Sequence, residues 1–260
     1  GQAPQPHETL SADQLLQIVV SGGYPEAIKR RSDRRRQDWY RAYIDSIVQR
    51  DLPEIADLAK AGHIPRVLEI AARFAGQLTN LSGIGRSAGI DHKTADQYLR
   101  VLEQLYLIQR VQPWFRNELS RLVKTPKLHF IDSGLLTTMR GYSIARIRKD
   151  RSLFGPLLEG FVFSELLKLS SWMDERISLF HYRDRDQFEV DFVLEDSAGA
   201  IVGVEVKAAA SVTRQDFGGL QRLASAPGDS FVQGILLYQG EQALSFAENL
   251  RAVPLPALWA

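Results

Sequence analysis

LFGPLLEGFVFSELLKLS, from Leu153 to Ser170, is apolar on nearly every side of a helix. A surface helix carries one apolar stripe and one polar face, whereas a helix that is apolar all round has to be buried. The stretch therefore predicts a helix at the centre of a domain, with other elements wrapped around it. The following sequence supplies them. RISLFHYR, EVDFVL and AIVGVEVKA read as strands, TRQDFGGLQRLAS as a helix, VQGILLYQG as a strand and LRAVPLPAL as an edge strand. The order α-β-β-β-α-β predicts an α/β core over about a hundred residues.

Charges inside this apolar frame mark the candidate site. Glu159 lies in the central helix, where a carboxylate needs a partner. Strand alternation puts Glu205 and Lys207 on one face of AIVGVEVKA, and Glu189, Asp191 and Val193 on one face of EVDFVL. A turn at Asp196-Ser197-Ala198-Gly199 sets Asp191 opposite Glu205 and Glu189 opposite Lys207. Opposed like charges destabilise a hairpin unless one protonates or a cation sits between them. A divalent cation with oxygen ligands is one such solution, and Mg²⁺ uses one or two carboxylates plus water and phosphate oxygens. Glu159, Asp191 and Glu205 are thus the candidate metal ligands, with Asp191, Glu205 and Lys207 as the candidate catalytic set. Lys207 could orient the attacking water or stabilise charge on phosphorus. Ordinary sheet chemistry offers the competing account: a Glu189–Lys207 ion pair, and acids satisfied by backbone amides or by Arg183 and Arg185.

Upstream, SADQLLQIVV reads as a helix with Ser11 as its cap, after a proline-rich start expected to be extended. A double glycine and Pro25 break it. Six of the eight residues from Lys29 to Arg36 are basic, either a solvated helix start or a phosphate-facing patch. A long amphipathic helix follows, RRQDWYRAYIDSIVQRDLPEIADL, with Trp39, Tyr43 and Ile47 on one stripe. From His63 the pattern becomes helix, short helix, glycine-containing turn and longer helix capped by Asp91, the syntax of a helix-turn-helix. IQRVQPWF and PKLHFID would add strands around the loop RNELSRLVKT, forming a wing. Lys93, Gln97 and Arg100, together with His92, face away from the apolar stripe of the third helix. Arg116, Arg121, Lys124 and Lys127 populate the wing, so these residues are the candidate nucleic-acid contacts. DSGLLTTMRG predicts a short capped helix and YSIARIRKDRS a polar connector. The expected organisation is an N-terminal helical linker or lid segment (1–62), a winged-helix-like domain (63–150) and the α/β domain (151–260).

Several classes are excluded. There is no cysteine among the 260 residues, so disulfides, thiolate metal sites and a cysteine nucleophile are out. Gly83, Gly85 and Gly89 lack the spacing of a phosphate-binding loop and read as turn punctuation, and the chain has no Walker A motif. The five histidines show no zinc spacing, and there is no nucleophile elbow. A net charge of +1 confines any nucleic-acid affinity to local patches. No apolar run spans a bilayer and no signal-peptide pattern opens the chain, so a cytoplasmic protein without membrane contact is expected. A start at Gly-Gln-Ala-Pro suggests a piece of a longer protein.

The order Glu159, Asp191, Glu205-Val206-Lys207 resembles the PD-(D/E)xK nuclease superfamily, especially its Holliday-junction-resolvase-like and restriction-endonuclease-like members. Val190-Asp191 stands where the signature has proline-aspartate. The resemblance implies an αβββαβ core in which these acids bind Mg²⁺ or Mn²⁺ and phosphodiesters are cut. The whole chain is similar to something narrower. GGYPEA, YIDSIVQRDL, HKTADQYLRVLEQLYLI, RLVKTPKLHFIDSGLL, LLEGFVFSELLK, EVDFVLE and VEVKAA recur in this order in prokaryotic AAA-type predicted ATPases with a C-terminal domain of unknown function. That implies a P-loop ATPase domain preceding this region, so that ATP would enter only through that domain. The expected fold class is mixed α+β: a helical segment, a winged helix-turn-helix and a restriction-endonuclease-like core. The expected function is a DNA-interacting module with a Mg²⁺-dependent cutting site, or a catalytically inactive nuclease fold that targets or regulates the ATPase.

Overall fold

Helix caps written into the sequence start most of the N-terminal elements. The computed structural model describes residues 10–50, 63–115, 124–226 and 230–259. Helix α1 (Ala12–Ser21) begins where Ser11 and Gln14 exchange hydrogen bonds: the Gln14 N–H donates to Ser11 Oγ at 3.2 Å and the Ser11 N–H to Gln14 Oε1 at 2.8 Å. Helices α2 (Pro25–Ile28) and α3 (Asp33–Arg50) follow. The buried stripe of α3 is Tyr40, Ile44 and Ile47. The expected Trp39 and Tyr43 stack on each other at its shoulder, ring centroids 5.2 Å apart. The expected continuation to Leu58 lies outside the described residues, as does the proline-rich start.

The chain divides into two compact units, each interrupted in sequence. One, the helical unit, comprises Leu16–Arg110 and Lys127–Ser164. It contains α4 (Ile64–Arg73), β1 (Gln77–Leu78), α5 (Leu81–Ala88), α6 (His92–Gln104), all but the last residue of β2 (Ile108–Val111), β3 (Lys127–Phe130), α7 (Ser133–Met139) and α8 (Ile144–Lys149). Asn80 Oδ1 accepts the Gly83 N–H at 2.8 Å to start α5, and Gly89 ends that helix at φ 73°, a left-handed conformation that glycine adopts without strain. Asp91 starts α6 by accepting the Lys93 and Thr94 N–H groups. One face of α6 buries Ala95, Tyr98, Leu99 and Leu102. The strands form a sheet in the order β1-β3-β2, so the two strand-like runs around the polar loop do pair; the two-residue β1 was not expected. The expected polar connector contains α8, capped by the Ser143 hydroxyl and anchored by buried Ile147, a six-residue helix being too short for its apolar period to show in sequence.

The other, the sheet unit, comprises Gly1–Leu15, Val111–Pro126 and Glu165–Ala260. Its six strands are β4 (Ser178–Arg183), β5 (Glu189–Glu195), β6 (Ile201–Lys207), β7 (Phe231–Tyr238), β8 (Leu244–Ala247) and β9 (Leu250–Pro254), in the order β4-β5-β6-β7-β9-β8. The first three strands are antiparallel, β6, β7 and β9 run parallel, and β8 returns antiparallel. Helix α10 (Gly218–Ala224) makes the crossover from β6 to β7. It lies so close to the sheet that a Cβ at Gly203 would meet Leu220 at 2.8 Å and Leu223 at 2.9 Å. Val190, Val193, Ile201, Phe217, Leu220, Leu223 and Leu236 form the core here. Two expectations are corrected. The edge strand is β8, with β9 inside it, and α10 is preceded by a separate 3-10 turn at Arg214–Phe217. Largely exposed β8 is only four residues long, too short a run to be read as a strand.

Helix α9 (Phe154–Trp172) is the predicted apolar helix, and it belongs to both units, 154–164 to the helical one and 165–172 to the sheet one. These divisions differ from the expected ones at 62/63 and 150/151. The molecule is mixed α+β, with helices and two sheets.

Candidate functional site

The β5–β6 turn is built by Asp196, whose Oδ1 accepts the N–H groups of Ala198 and Ala200 at 2.9 and 2.8 Å. It fixes a register in which Phe192 pairs with Val204 and Val193 with Gly203. One residue beyond Phe192 and Val204, side chains bridge the strands. The Asp191 N–H donates to Glu205 Oε2 at 3.3 Å, and the Val206 N–H donates to Asp191 Oδ2 at 3.0 Å. Asp191 and Glu205 are therefore opposed, as parity predicts, and Asp191 is 8% exposed. Each carboxylate meets a main-chain donor of the facing strand, which offsets part of the repulsion between them.

Lys207 lies on the same face as Glu205 and pairs with Asp216. Asp216 is the last residue of a capping box with Thr213, its Oδ2 accepting the Thr213 N–H at 2.7 Å and hydroxyl at 2.9 Å. Where the competing account paired Glu189 with Lys207, Glu189 pairs with Arg183 at 3.0 Å across the β4–β5 ladder, because the two are direct register partners. Asp216 was missed, although the T-x-x-D spacing of Thr213 and Asp216 is a readable cap signal.

Glu159 belongs to the helical unit and has its ion partner there. Lys127 Nζ lies 2.9 Å from Glu159 Oε1, and His129 Nε2 lies 3.8 Å from the same oxygen. His129 also stacks on Phe163, centroids 4.7 Å apart. Lys127, expected on the wing surface, is 2% exposed: it stands in β3, all four residues of which are buried. Among the described residues no group of three or more histidine and acidic side chains is arranged to hold a metal ion.

The α6 face is solvent-exposed as expected at His92, Lys93, Gln97 and Arg100. Arg100 pairs with Asp96, whose other oxygen takes Arg110, and these guanidinium hydrogen bonds, Arg100 first, hold the Asp96 carboxyl below its ordinary range. Hydrogen bonds from the Thr94 hydroxyl and N–H hold the exposed Asp91 at about 2. Lys124 is exposed in the sheet unit, while Arg116 and Arg121 lie outside the described residues. A third network extends the cap expected at DSGLLTTMRG by links to Gly23 and Tyr40 that were not visible in sequence. Asp132 caps α7 through the Leu135 N–H at 2.7 Å, and also accepts the Gly23 N–H at 2.6 Å and the Tyr40 hydroxyl at 2.7 Å. Burial pushes the Asp132 carboxyl above its ordinary range against these donors, and burial with the nearby Asp132 charge raises the Tyr40 phenol.

Fold and site together define a mixed α+β protein with an exposed basic helix face in one unit and an acid-bearing hairpin in the other. The chain belongs to the family described as Domain of unknown function (DUF8612), whose model matches residues 12–145. A second model, Domain of unknown function (DUF4143), matches residues 154–258. The uncharacterized proteins Mb2031c of Mycobacterium bovis and Rv2008c of Mycobacterium tuberculosis are each 27% identical over 246 residues, covering 94% of this chain and 53% of theirs. The chain thus spans about half the length of these curated relatives. A solved structure, the refined half-complex of Thermococcus gammatolerans McrB AAA+ hexamers with bound McrC, is similar at a TM-score of 0.30 and 11% identity, over 76% of this chain and 72% of that one. Among the described residues no helix is long and apolar enough to cross a membrane.

Proposed function

We propose that this chain is a DNA-interacting module working beside an AAA-type ATPase domain, with helix α6 docking on duplex DNA. The observation that carries this reading is the two-sided character of α6. Ala95, Leu99 and Leu102 are buried, while Lys93, Gln97 and Arg100 stand exposed on the opposite side of the same helix. Lysine and arginine suit phosphates, and glutamine or arginine can read base edges. The order α4-β1-α5-α6-β2-β3 with strand order β1-β3-β2 supports a winged helix, whose second helix-turn-helix helix enters the major groove. The order α9-β4-β5-β6-α10-β7 supports a nuclease-like core in the sheet unit. Resemblance to AAA-type predicted ATPases supports the ATPase partner, and the greater length of the curated relatives leaves room for one.

Asp191 and Glu205 are the pair that would hold Mg²⁺ or Mn²⁺, since two opposed carboxylates match the donor chemistry of such a site. A bound ion would supply Lewis-acid polarisation of a phosphodiester. The protein's own part is to hold the acid pair across the strands and to keep Lys207 on their face, where Asp216 orients its amine. The same partners favour a second reading, a recognition module without cleavage: Lys207 is bound to Asp216, and both acids take backbone amides.

One set of incubations separates the two readings. Supercoiled, branched and single-stranded DNA are mixed with the protein and Mn²⁺, following binding and cleavage together. Duplex binding should weaken in Lys93→Ala/Arg100→Ala. Cleavage lost in both Asp191→Asn and Lys207→Met carries the cutting site, and cleavage that survives either change overturns it. Binding without cleavage carries the recognition reading.

A further inference from the structure

The α6 reading leaves the basic run from Lys29 to Arg36 unused. Arg34, Arg35 and Arg36 occupy the first turn of α3, where the helix dipole disfavours cations. Intrahelical pairs account for Arg36 with Asp33 and Arg34 with Asp38, but nothing in helix stability accounts for Arg35. Arg36 turns inward to Asp33 at 2.9 Å, but Arg31, Arg34 and Arg35 are exposed.

A tertiary hydrogen bond links α3 to the segment just ahead of a second basic run. Arg34, Gln37 and Arg41 follow one face of α3 at helical spacing. Gln37 Nε2, at the middle of that face, donates to the Tyr142 carbonyl at 2.9 Å, a contact between positions 105 residues apart. It brings the segment ahead of α8 against α3. There the Arg146 guanidinium lies 4.9 Å from the centroid of the Tyr142 ring, and Arg148, Lys149 and Arg151 follow, all exposed.

Acids balance only part of this charge. Glu26 takes Lys29 and Arg30, and Asp38 lies between Arg34 and Arg41. Among the described residues, Arg31, Arg35, Arg146, Lys149 and Arg151 form no ion pair with a carboxylate. A concentration of like charge repels itself, and a polyanion relieves the repulsion. Arginine predominates, and its planar fork matches phosphate in a bidentate geometry.

We propose that Arg31, Arg34, Arg35, Arg41, Arg146 and Lys149 form a second contact surface for the phosphate backbone of duplex DNA. This rests on the DNA reading above and deepens it: α6 supplies the contacts that can read bases, and this surface supplies affinity without sequence preference.

The test is fluorescence anisotropy of the whole chain with a labelled duplex of mixed sequence, between about 50 and 200 mM salt. Arg31→Glu/Arg35→Glu/Lys149→Glu should bind at least about tenfold more weakly at low salt. Its plot of log affinity against log salt should flatten by about 0.9 for each phosphate the variant no longer neutralises. All three positions are exposed, so its thermal melt should match the wild type. Wild-type affinity and slope in this variant, with weakening confined to Lys93→Ala/Arg100→Ala, overturns the second surface and leaves the α6 reading standing. Weakening in the glutamate variant alone supports the surface and sinks the role of α6. Absence of duplex binding by the wild type overturns both. Competition by poly-glutamate as effective as by unlabelled duplex overturns DNA as the occupant and assigns the surface to an acidic protein.

Discussion

Lys127 and Glu159 show how a single residue's surroundings decide what its charge is for. A charge that is 2% exposed is costly to bury without a partner, and the Glu159 carboxylate lies 2.9 Å from the Lys127 amine. Buried pairs respond asymmetrically to change: removing one partner leaves an uncompensated charge, whereas replacing both with apolar groups of similar volume is often neutral. Lys127→Ala should therefore lower unfolding stability by about 3–5 kcal/mol in urea titrations. Lys127→Met/Glu159→Leu should recover most of that loss. A double variant as unstable as the single one would show that packing, rather than charge compensation, dominates at this position. The sequence marked Glu159 as a carboxylate in need of a partner, and that inference holds in physical terms. It offered no means of finding Lys127, because the pair joins a strand to a helix by packing rather than by spacing.

At the scale of elements, α6 is the clearest case of local sequence writing local structure. Its start is fixed by Asp91, whose carboxylate accepts two backbone N–H groups and the Thr94 hydroxyl. Because those donors hold the folded carboxyl at about 2, below its ordinary 3.8, folding favours the charged form. The cap's contribution is then fully present above pH about 4 and is lost as pH falls from there through about 2. Asp91→Asn keeps an acceptor but no charge. Its melting temperature should lie below that of the wild type at neutral pH, and the gap should close on acidification through this window, as followed by circular dichroism. A gap that stays constant over that range would remove Asp91 as its source. The hairpin around Asp196 is equally legible, since its turn residues and alternating strands set the register that opposes Asp191 and Glu205. Weak elements fared worse: α8 rests on one buried isoleucine, and β8 is largely exposed.

At the scale of the whole molecule, helix α9 is divided between the two units, residues 154–164 in the helical one and 165–172 in the sheet one. Within the helical unit, residues 154–164 of α9 make specific contacts with β3 and its surroundings. Ser164 Oγ donates to the Ile131 carbonyl at 2.7 Å, Phe163 stacks on His129, and Glu159 pairs with Lys127. A fragment spanning 151–260 keeps the apolar helix but loses all of these partners. It should bind a hydrophobic dye such as ANS and lack the cooperative thermal transition of the whole chain. A fragment that melts cooperatively at the temperature of the intact protein would show that the sheet unit is self-sufficient with α9 attached. The family models meet between 145 and 154, close to that cut, whereas packing carries the helical unit on to Ser164.

Sequence alone determined the mixed α+β class, the αβββαβ order of elements, the helix starts at Ser11 and Asp91 and the shared face of Asp191, Glu205 and Lys207. All of these rest on local rules: a period of two in strands, 3.6 in helices, and capping within three residues. Tertiary structure decided what each charge meets. It gave Lys207 to Asp216, Glu189 to Arg183 and Glu159 to Lys127, and it bonded Gln37 of α3 to Tyr142, 105 residues on and just ahead of a second basic run. Those partners lie far apart in the chain or on different elements, and the free energy that joins them comes from burial and docking, which no local pattern records.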